Sequence, residues 1–217
     1  MLVDASGNDF LEYDPAEMTI PQAYTLLLNC VSPRPIAFVS TLSADGISNL
    51  APFSFFMAGG ANPPSVAISP VSDRHGNAKH TLKNIEATGE YTINVVSYDI
   101  REMMNETSAE YPDGISEWDA VGFTAVKSSV VKPAIVKECT LSMEVKLFDI
   151  VRHGGKPLSA NYVIGEVVRF HVDKRIVVDG AIDPTLVEYL GRMSGDWYVH
   201  ATPKSMFALG RPTLIVK

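Results

Sequence analysis

Residues 36–56 constrain the fold most strongly, because they read as two β-strands joined by a tight turn. Strand-forming residues begin at Ile36, and Asp45-Gly46 is typical of the turn of a β-hairpin. Asn49 and Pro52 on the second strand suit the interior of a regular sheet poorly, so an irregularity that exposes backbone groups is expected there. The segment therefore predicts an antiparallel hairpin that carries polar side chains beside aromatic ones.

A second hairpin is predicted in the last third of the chain. Hydrophobic and polar residues alternate over residues 141–147, which is the period of a half-buried strand, and residues 162–170 read as a second long strand. His153-Gly-Gly-Lys156 lies between the two segments and predicts a turn, so the strands should pair antiparallel. Shorter strands are expected at residues 65–69 and 91–95.

Helices in the predicted fold are few and short. The sequence favours them over residues 21–28, 79–87 and 99–109, with Asp99 as a candidate N-cap, and from Asp183-Pro184 through Leu190. About six strands are joined mostly by hairpins, and regular βαβ alternation is absent. These features predict a mainly β protein with peripheral helices, built as a closed or nearly closed antiparallel barrel.

A chain of 217 residues is expected to form a single domain over residues 1–217. Residues 1–20 are interpreted as an N-terminal arm and residues 190–217 as a C-terminal arm. Cys30 and Cys139 lie far apart in apolar contexts, which favours a reducing compartment. Because the sequence also lacks a signal-peptide pattern and a run of 18 apolar residues, a cytoplasmic location is expected.

Several classes of function are disfavoured by the sequence. A net charge of −7 gives the chain no general attraction for nucleic acid or anionic membranes. The Gly-x-Ser-x-Gly spacing of serine hydrolases is absent, and neither cysteine has a basic or glycine-rich neighbourhood. The metal-binding His-Glu-x-x-His pair, the Rossmann fingerprint and the P-loop are missing too, so any nucleotide cofactor must be held in another way.

Two groups of polar residues are candidates for ligand binding. Ser40 and Thr41 on one arm of the first hairpin, with Asn49 and Ser54 on the other, supply neutral hydrogen-bonding groups that suit a planar, phosphate-bearing ligand. The alternative is that these are ordinary strand residues around an aromatic core. Lys79 and Thr81 fall in the first turn of a predicted helix, where free N–H groups and the helix dipole favour an anion. An ordinary surface helix start is the alternative there, and the motif taken alone favours it.

Taken together, the hairpin and the helix that starts near Lys79 resemble the flavin reductase-like, FMN-binding split-barrel family, close to its flavoredoxin-type members. The resemblance covers about residues 30–96 and continues more loosely through Ile164-Gly-Glu-Val167. Its motifs are Arg34-Pro-Ile-Ala-Phe-Val-Ser-Thr-Leu42, Asp45-Gly46, Asn49-Leu-Ala-Pro-Phe-Ser-Phe-Phe56, Pro63-Pro64, Val66-Ala-Ile-Ser69, Lys79-His-Thr-Leu-Lys-Asn-Ile85 and Gly89-Glu-Tyr-Thr-Ile-Asn-Val95.

The resemblance implies a homodimeric, six-stranded Greek-key split barrel that holds FMN non-covalently near the subunit interface. It also implies electron transfer from NADH or NADPH through the flavin to an acceptor that the sequence does not name. The implied FMN contacts are Ser40 and Thr41 with the flavin or its ribityl chain; Asn49, Ala51 (through its backbone) and Ser54 with the ring edge and tail; and Lys79 and Thr81, with Arg34 as a further candidate, with the phosphate.

Three segments depart from or extend this pattern. Ala160-Asn161-Tyr162 stands where many reductases of the family carry Gly-Asp-His, whose histidine helps to place the nicotinamide. His80 replaces an acidic residue of the phosphate motif. Arg192–Tyr198 resembles a segment that some members place over the flavin, and a plain packing role is the alternative for it. The first departure leaves open a flavoredoxin-type electron carrier without its own NAD(P)H turnover. A barrel that has lost flavin and serves in assembly is a third reading, which the intact set of polar residues disfavours.

Overall fold

The structure is a computed structural model that describes residues 10–109, 111 and 115–212. The outer parts of both predicted arms, residues 1–9 and 213–217, lie outside the described residues. The elements in chain order are α1 (Ile20–Cys30), β1 (Arg34–Pro35), β2 (Ala37–Leu42), β3 (Ser48–Phe53), β4 (Phe56–Ala61), β5 (Pro64–Ile68), α2 (His80–Thr88), β6 (Glu90–Val95), α3 (Arg101–Glu106), α4 (Glu117–Val121), β7 (Ala125–Val126), β8 (Ile135–Val136), β9 (Leu141–His153), β10 (Ala160–Val172), β11 (Val177–Val178), β12 (Ala181–Ile182), β13 (Leu190–Arg192) and β14 (Tyr198–His200).

The main sheet contains seven antiparallel strands in the order β3-β2-β6-β9-β10-β5-β4. The mainly β class is therefore confirmed, but the expected count of six strands is one short for this sheet. The missed strand is β4, Phe-Met-Ala-Gly-Gly-Ala, in which Phe56 is the one residue of a type that favours strands. It forms an edge of the sheet, where its pairing with β5 is interrupted between Ala58 and Ala61.

The sheet is rolled, because its two edge strands are nearly consecutive in the chain. Only Ser54 and Phe55 separate β3 from β4, so Phe53 and Phe56 lie at most about 11 Å apart. Seven strands laid flat would place the outer two roughly 29 Å apart. The sheet must therefore curl until its edges approach each other at this link, which is the geometry of a barrel split along one side.

Both predicted hairpins are confirmed. Strand β2 pairs with β3 from Ala37 opposite Phe53 to Leu42 opposite Ser48. Strands β9 and β10 pair from Ala160 opposite His153 onward, and both are 13 residues long. Pro52 is accommodated in β3 because that strand lies at the edge of the sheet.

The two faces of the sheet bury different cores. Alternate residues of β2, such as Val39, face the barrel interior with residues of five other strands and with Leu82 of α2. The intervening residues, such as Phe38, face an outer layer that includes Met104 of α3 and Trp118 of α4. This alternation decides which polar side chains can act together.

The predicted helices are found in shortened or shifted form. Residues 21–28 fall within α1, and α2 begins at His80, so that Lys79 occupies its N-cap position. Asp99 is not an N-cap: it lies inside a short 3₁₀ turn, Tyr98–Ile100, that precedes α3. Only Pro184–Leu186 is helical, again as a 3₁₀ turn.

The predicted helix through Leu190 ends early because Leu190 begins strand β13 and is buried. Strands β13 and β14 form a hairpin within the segment interpreted as the C-terminal arm, and Arg192 pairs with Arg34 of β1. Residues 190–200 are therefore packed on the barrel. The assignment of residues 1–217 to one domain stays a prediction. Of the helices in the described part of the chain, none has the length and apolar character that crossing a membrane requires.

Candidate functional site

A buried polar cluster joins the hairpin β2–β3 to helix α2. Thr41 and Asn49 are opposite each other across the two strands. The Asn49 side-chain amide donates to Thr81 Oγ1 at 3.0 Å, and the Asn84 amide donates to Thr41 Oγ1, also at 3.0 Å. All four residues are at least nine-tenths buried. The structure therefore brings together three predicted site residues and adds Asn84, which lies three residues after Thr81 on the same helical face.

Lys79 lies at the edge of this cluster and is exposed to solvent. It occupies the N-cap position of α2 with an extended backbone, and its side chain forms no capping hydrogen bond among the described residues. A lysine side chain has no hydrogen-bond acceptor, so it cannot accept a hydrogen bond from the N–H groups of the first helical turn. The start of α2 therefore combines first-turn N–H groups that Lys79 does not cap with an exposed positive charge, which suits an anion.

Ser40 is directed away from this cluster. Consecutive side chains of a strand point to opposite faces, so Ser40 lies on the outer face while Thr41 lies on the inner one. Ser40 is 1% exposed and opposite Leu50 of the outer core. The half-buried Ala51, by contrast, shares the inner face with Asn49. A ligand that meets Thr41 and Asn49 could meet Ser40 only through its main chain.

Arg34 lies at a separate place, beside Ser54. Its Nε donates to Ser54 Oγ at 3.3 Å, and its Nη2 donates to the Met193 carbonyl at 2.9 Å. Its Nη1 donates to the carbonyls of Leu28 and Val31 and to Ser32 Oγ. These contacts tie the end of α1 to β1 and to the β13–β14 hairpin. Within the described residues, no hydrogen bond joins Arg34 to Lys79 or Thr81, and the predicted phosphate contact of Arg34 stays a prediction.

A cavity of about 430 Å³ opens between α1, β1, the link from β3 to β4, and the ends of β5 and β10. Its volume falls in the range of small-molecule sites, roughly 300–1,000 Å³. The lining is mostly apolar and aromatic: Tyr24 meets Phe55 edge to face at 6.2 Å, and the Arg34 guanidinium lies 5.9 Å from the same ring. The lining residues are Tyr24, Leu27, Val31, Pro33, Arg34, Pro35, Ser54, Phe55, Phe56, Met57, Ala67, Ile68, Ser69, Val71, Leu158, Ala160 and Tyr162.

Ser69 supplies an unsatisfied polar group to this cavity. The residue is 7% exposed, and its Oγ has no hydrogen-bond partner among the described residues. A buried hydroxyl without a partner costs free energy, which a ligand or a water molecule would recover. Sequence reasoning placed Ser69 at the end of a buried strand but did not identify it as a site residue, because the neighbouring elements that enclose it are remote in sequence.

The segment Ala160-Asn161-Tyr162 also borders the cavity. Asn161 is buried and donates to the Pro70 carbonyl at 2.9 Å, which holds the chain after β5 in place. Tyr162 is 44% exposed and lines the rim. Where many relatives are expected to carry histidine, this chain therefore presents a phenol on the cavity rim.

Strand β3 runs between the polar cluster at the start of α2 and the cavity. Asn49 contacts the start of α2, whereas Ser54, just beyond the other end of β3, lines the cavity. Five residues of extended chain span about 17 Å. A ligand with a planar ring, a flexible tail and a terminal anion could therefore follow β3 from the cavity to the N-terminus of α2. The predicted roles of the individual site residues in binding stay predictions.

The comparisons with known proteins agree on the kind of domain. Residues 29–189 match the model of the flavin reductase-like domain. An uncharacterized protein of Halalkalibacterium halodurans is 34% identical over 94% of this chain and 98% of its own length. Component B of the nitrilotriacetate monooxygenase of Bacillus cereus is 32% identical with a TM-score of 0.86, over 94% of this chain and all of that chain.

Two further solved structures extend the comparison. A 2-nitrobenzoate 2-nitroreductase of Pseudomonas fluorescens is 28% identical with a TM-score of 0.83, over 95% of this chain and 99% of its own. A flavoredoxin of Desulfovibrio vulgaris (Miyazaki F) is 21% identical with a TM-score of 0.71, over 83% and 91% of the two chains, and shows likeness of fold alone. The expected resemblance to split-barrel flavoproteins is thereby confirmed.

Proposed function

Because this chain belongs to the flavin reductase-like domain family, we propose that it is an FMN-dependent oxidoreductase that takes electrons from NADH or NADPH and passes them to an acceptor. The single observation that carries this proposal is the arrangement along β3: an apolar, aromatic-lined cavity at one end and an exposed lysine at a helix start at the other. Relatives named as a monooxygenase component and a nitroreductase support a redox role.

The residues present fit FMN. Its phosphate would bind at the start of α2, held by Lys79 and by first-turn N–H groups such as that of Thr81. Its tail would lie along β3 past Asn49 and Ala51. Its ring would lie at the Ser54 end, against Phe55, where the unpartnered Ser69 hydroxyl offers a hydrogen bond.

Bound FMN would supply the redox chemistry, since it accepts a hydride and returns electrons singly or in pairs. The protein would bind the tail, orient the ring and exclude water from one face of it. The apolar cavity lining serves the last of these purposes, because little polar surface remains there to hold water. Neither a general base nor a metal needs to be assigned.

A flavoredoxin-type electron carrier without NAD(P)H turnover is the second candidate. It is favoured by one observation: Asn161 is committed to the Pro70 carbonyl and Tyr162 occupies the rim, in place of the Gly-Asp-His segment that helps reductases to place the nicotinamide. Both candidates bind FMN, and they differ only in the donor.

We also propose that the chain acts as a homodimer. Val151 and Tyr162 lie opposite each other on β9 and β10 and are 47% and 44% exposed. Exposed apolar pairs on a regular sheet mark contact surfaces when they are grouped with others. Phe148, 67% exposed, continues this surface along β9.

The decisive experiment is FMN binding followed by a donor assay. Purified protein is expected to be yellow or to become so with FMN, and the cofactor released on denaturation should be FMN. Loss of the nicotinamide absorbance band is then followed with NADH and with NADPH. Failure to bind FMN would overturn the proposal. Binding without turnover of either donor would leave the electron carrier as the function.

A further inference from the structure

Among the described residues, the guanidinium of Arg34 is a buried positive charge without a negative partner. Arg34 is 3% exposed, and the five groups of the described chain to which it donates are neutral oxygens: Leu28 O, Val31 O, Ser32 Oγ, Ser54 Oγ and Met193 O. In the described part of the chain, no carboxylate forms an ion pair with it. Buried charges in proteins are ordinarily paired, so this one is unusual.

The charge persists although burial opposes it. Burial lowers the pKa of Arg34, the neighbouring Tyr24 raises it, and Arg192 lowers it again. Arginine starts from so high a pKa that it stays protonated in proteins. Nη2 carries two of the five N–H groups of the guanidinium and donates one of them to the Met193 carbonyl, so its second N–H has no acceptor among the described residues.

This charge borders the cavity at the point where the ring of a flavin is expected. Arg34 lines the cavity in which the proposed function puts the ring, and it is hydrogen-bonded to Ser54, one of the residues that the family resemblance places along the ring edge and tail. It does not contact the α2 start, where the phosphate is expected. The positive charge therefore lies beside the cavity proposed for the ring and not at the site proposed for the phosphate.

We propose that Arg34 stabilises the negative charge that the flavin ring acquires on reduction, so that the protein binds reduced FMN more tightly than oxidised FMN. The inference rests on the proposed function, since it requires the FMN ring at the Ser54 end of β3. Transfer of a hydride from NAD(P)H carries two electrons and one proton to the ring and leaves NAD(P)⁺. The ring thus gains one negative charge until a second proton arrives, and a neighbouring cation favours the form without that proton.

The test compares two substitutions that remove the same hydrogen-bonding fork and differ in charge. Arg34→Lys keeps a positive charge, whereas Arg34→Gln does not. Dissociation constants for oxidised FMN and for chemically reduced FMN under anaerobic conditions are measured for both variants and the parent. We expect the preference for reduced over oxidised FMN to be at least about tenfold smaller in Arg34→Gln than in Arg34→Lys. For a two-electron couple, that factor corresponds to a midpoint potential about 30 mV lower.

A second pair of variants keeps the proposal testable if Arg34 proves necessary for folding, since its fork ties α1 to β1 and the β13–β14 hairpin. Ser54→Asp places a carboxylate beside the guanidinium and neutralises it, and Ser54→Asn is its uncharged match in size. The aspartate variant is expected to lose the preference for reduced FMN that the asparagine variant keeps.

The outcomes separate the two proposals. Equal preference within each matched pair of variants would overturn the role of Arg34 while leaving FMN binding intact. A parent protein that binds neither form of FMN would overturn the proposed function itself.

Discussion

Side chains at the start of α2 differ in their burial and in their contacts. Thr81 and Asn84 are buried and hold the helix to the hairpin through Asn49 and Thr41. Lys79 lies one residue before the helix and is exposed, and its side chain forms no capping hydrogen bond among the described residues. The support residues fix where the helix begins, and the lysine supplies the charge.

Replacing Lys79 with Ala should weaken FMN binding, because the phosphate loses a charge-assisted partner worth about 1.5–3 kcal/mol. That loss corresponds to a rise in dissociation constant of roughly ten- to a hundredfold. Lys83→Ala is the matched control, since Lys83 is exposed one turn further along the same helix. Equal dissociation constants for Lys79→Ala and the parent would show that the phosphate binds elsewhere.

Gly165 shows a residue requirement of another kind. A Cβ at this position would lie well inside van der Waals contact with Tyr91 Oη and Val145 Cγ1, both in the barrel interior. Burial raises the pKa of the Tyr91 hydroxyl, which has no hydrogen-bond partner among the described residues. The absence of a side chain at Gly165 therefore makes room for the tyrosine.

Gly165→Ala is expected to destabilise the fold by about 1–3 kcal/mol through overpacking. Thermal unfolding should register this as about 2–4 °C per kcal/mol for a chain of this size. Gly60→Ala is the control, because its Cβ would meet nothing closer than 3.9 Å on the exposed edge strand β4. Similar melting temperatures for the two variants would show that the interior yields more easily than the packing indicates.

At the scale of elements, Glu144 fastens a loop to the outer face of the sheet. Its carboxylate accepts the N–H groups of Ser129, Val130 and Val131 at 2.6–2.8 Å and contacts His171 Nε2 at 2.6 Å. Burial by itself would raise the pKa of Glu144, but these donors outweigh it and hold the pKa at about 2. The ionised form is therefore the one that the fold requires.

Glu144→Gln should destabilise the protein at neutral pH and progressively less in acid. Because the folded pKa lies below the ordinary value of 4.5, the carboxylate contributes its full stabilisation above that value and loses it as the pH falls towards 2. Denaturant unfolding from pH 7 to pH 3 should show the gap between parent and variant, about 2–3 kcal/mol at neutral pH, closing with acidification. Glu102→Gln at a solvent-exposed ion pair serves as the control and should show almost no gap. A gap for Glu144→Gln that stays constant with pH would contradict this account.

The elements also show how far sequence patterns reach. Strand-forming residues and a turn signal predicted β2–β3, and the alternation in β9 with the Gly-Gly turn predicted β9–β10, because these signals lie within short stretches of sequence. Strand β4 was missed because its glycines and alanines carry no such signal, and its strand conformation is imposed by pairing with β5. Local motifs were enough to identify Lys79 and Asn49 as candidate site residues. The position of Ser69 in the cavity and the neutral oxygens around Arg34 depend on elements that are far apart in sequence. Ser40 was grouped with Thr41 on composition, but strand alternation separates their side chains.

On the scale of the whole molecule, the β9–β10 hairpin carries apolar surface that a monomer would leave in water. Val151, Tyr162 and Phe148 are all more than two-fifths exposed. A second copy of the chain is the occupant we propose for this surface. It would bring a neighbouring subunit close to the cavity rim, where Tyr162 is shared by both features.

Light scattering after gel filtration should therefore give a mass near twice 23.6 kDa. Val151→Glu is expected to shift the protein towards monomer, because burial of an unpaired carboxylate opposes association. Val178→Glu is the matched control, since Val178 is also a strand valine and is likewise 47% exposed, on the separate β11–β12 ribbon. Dissociation by the control and not by Val151→Glu would place the interface on the other surface, and a parent of monomer mass would exclude the dimer.

The two residues that join β3 to β4 serve two structural purposes. Ser54 and Phe55 link the two edge strands of the rolled sheet, β3 and β4, and both also form part of the cavity wall. A ligand bound against that wall would contact the link between β3 and β4 from inside the cavity. Cleavage of the chain between Ser54 and Phe55 would remove the covalent link between the two edges of the sheet and cut through the cavity wall at the same point.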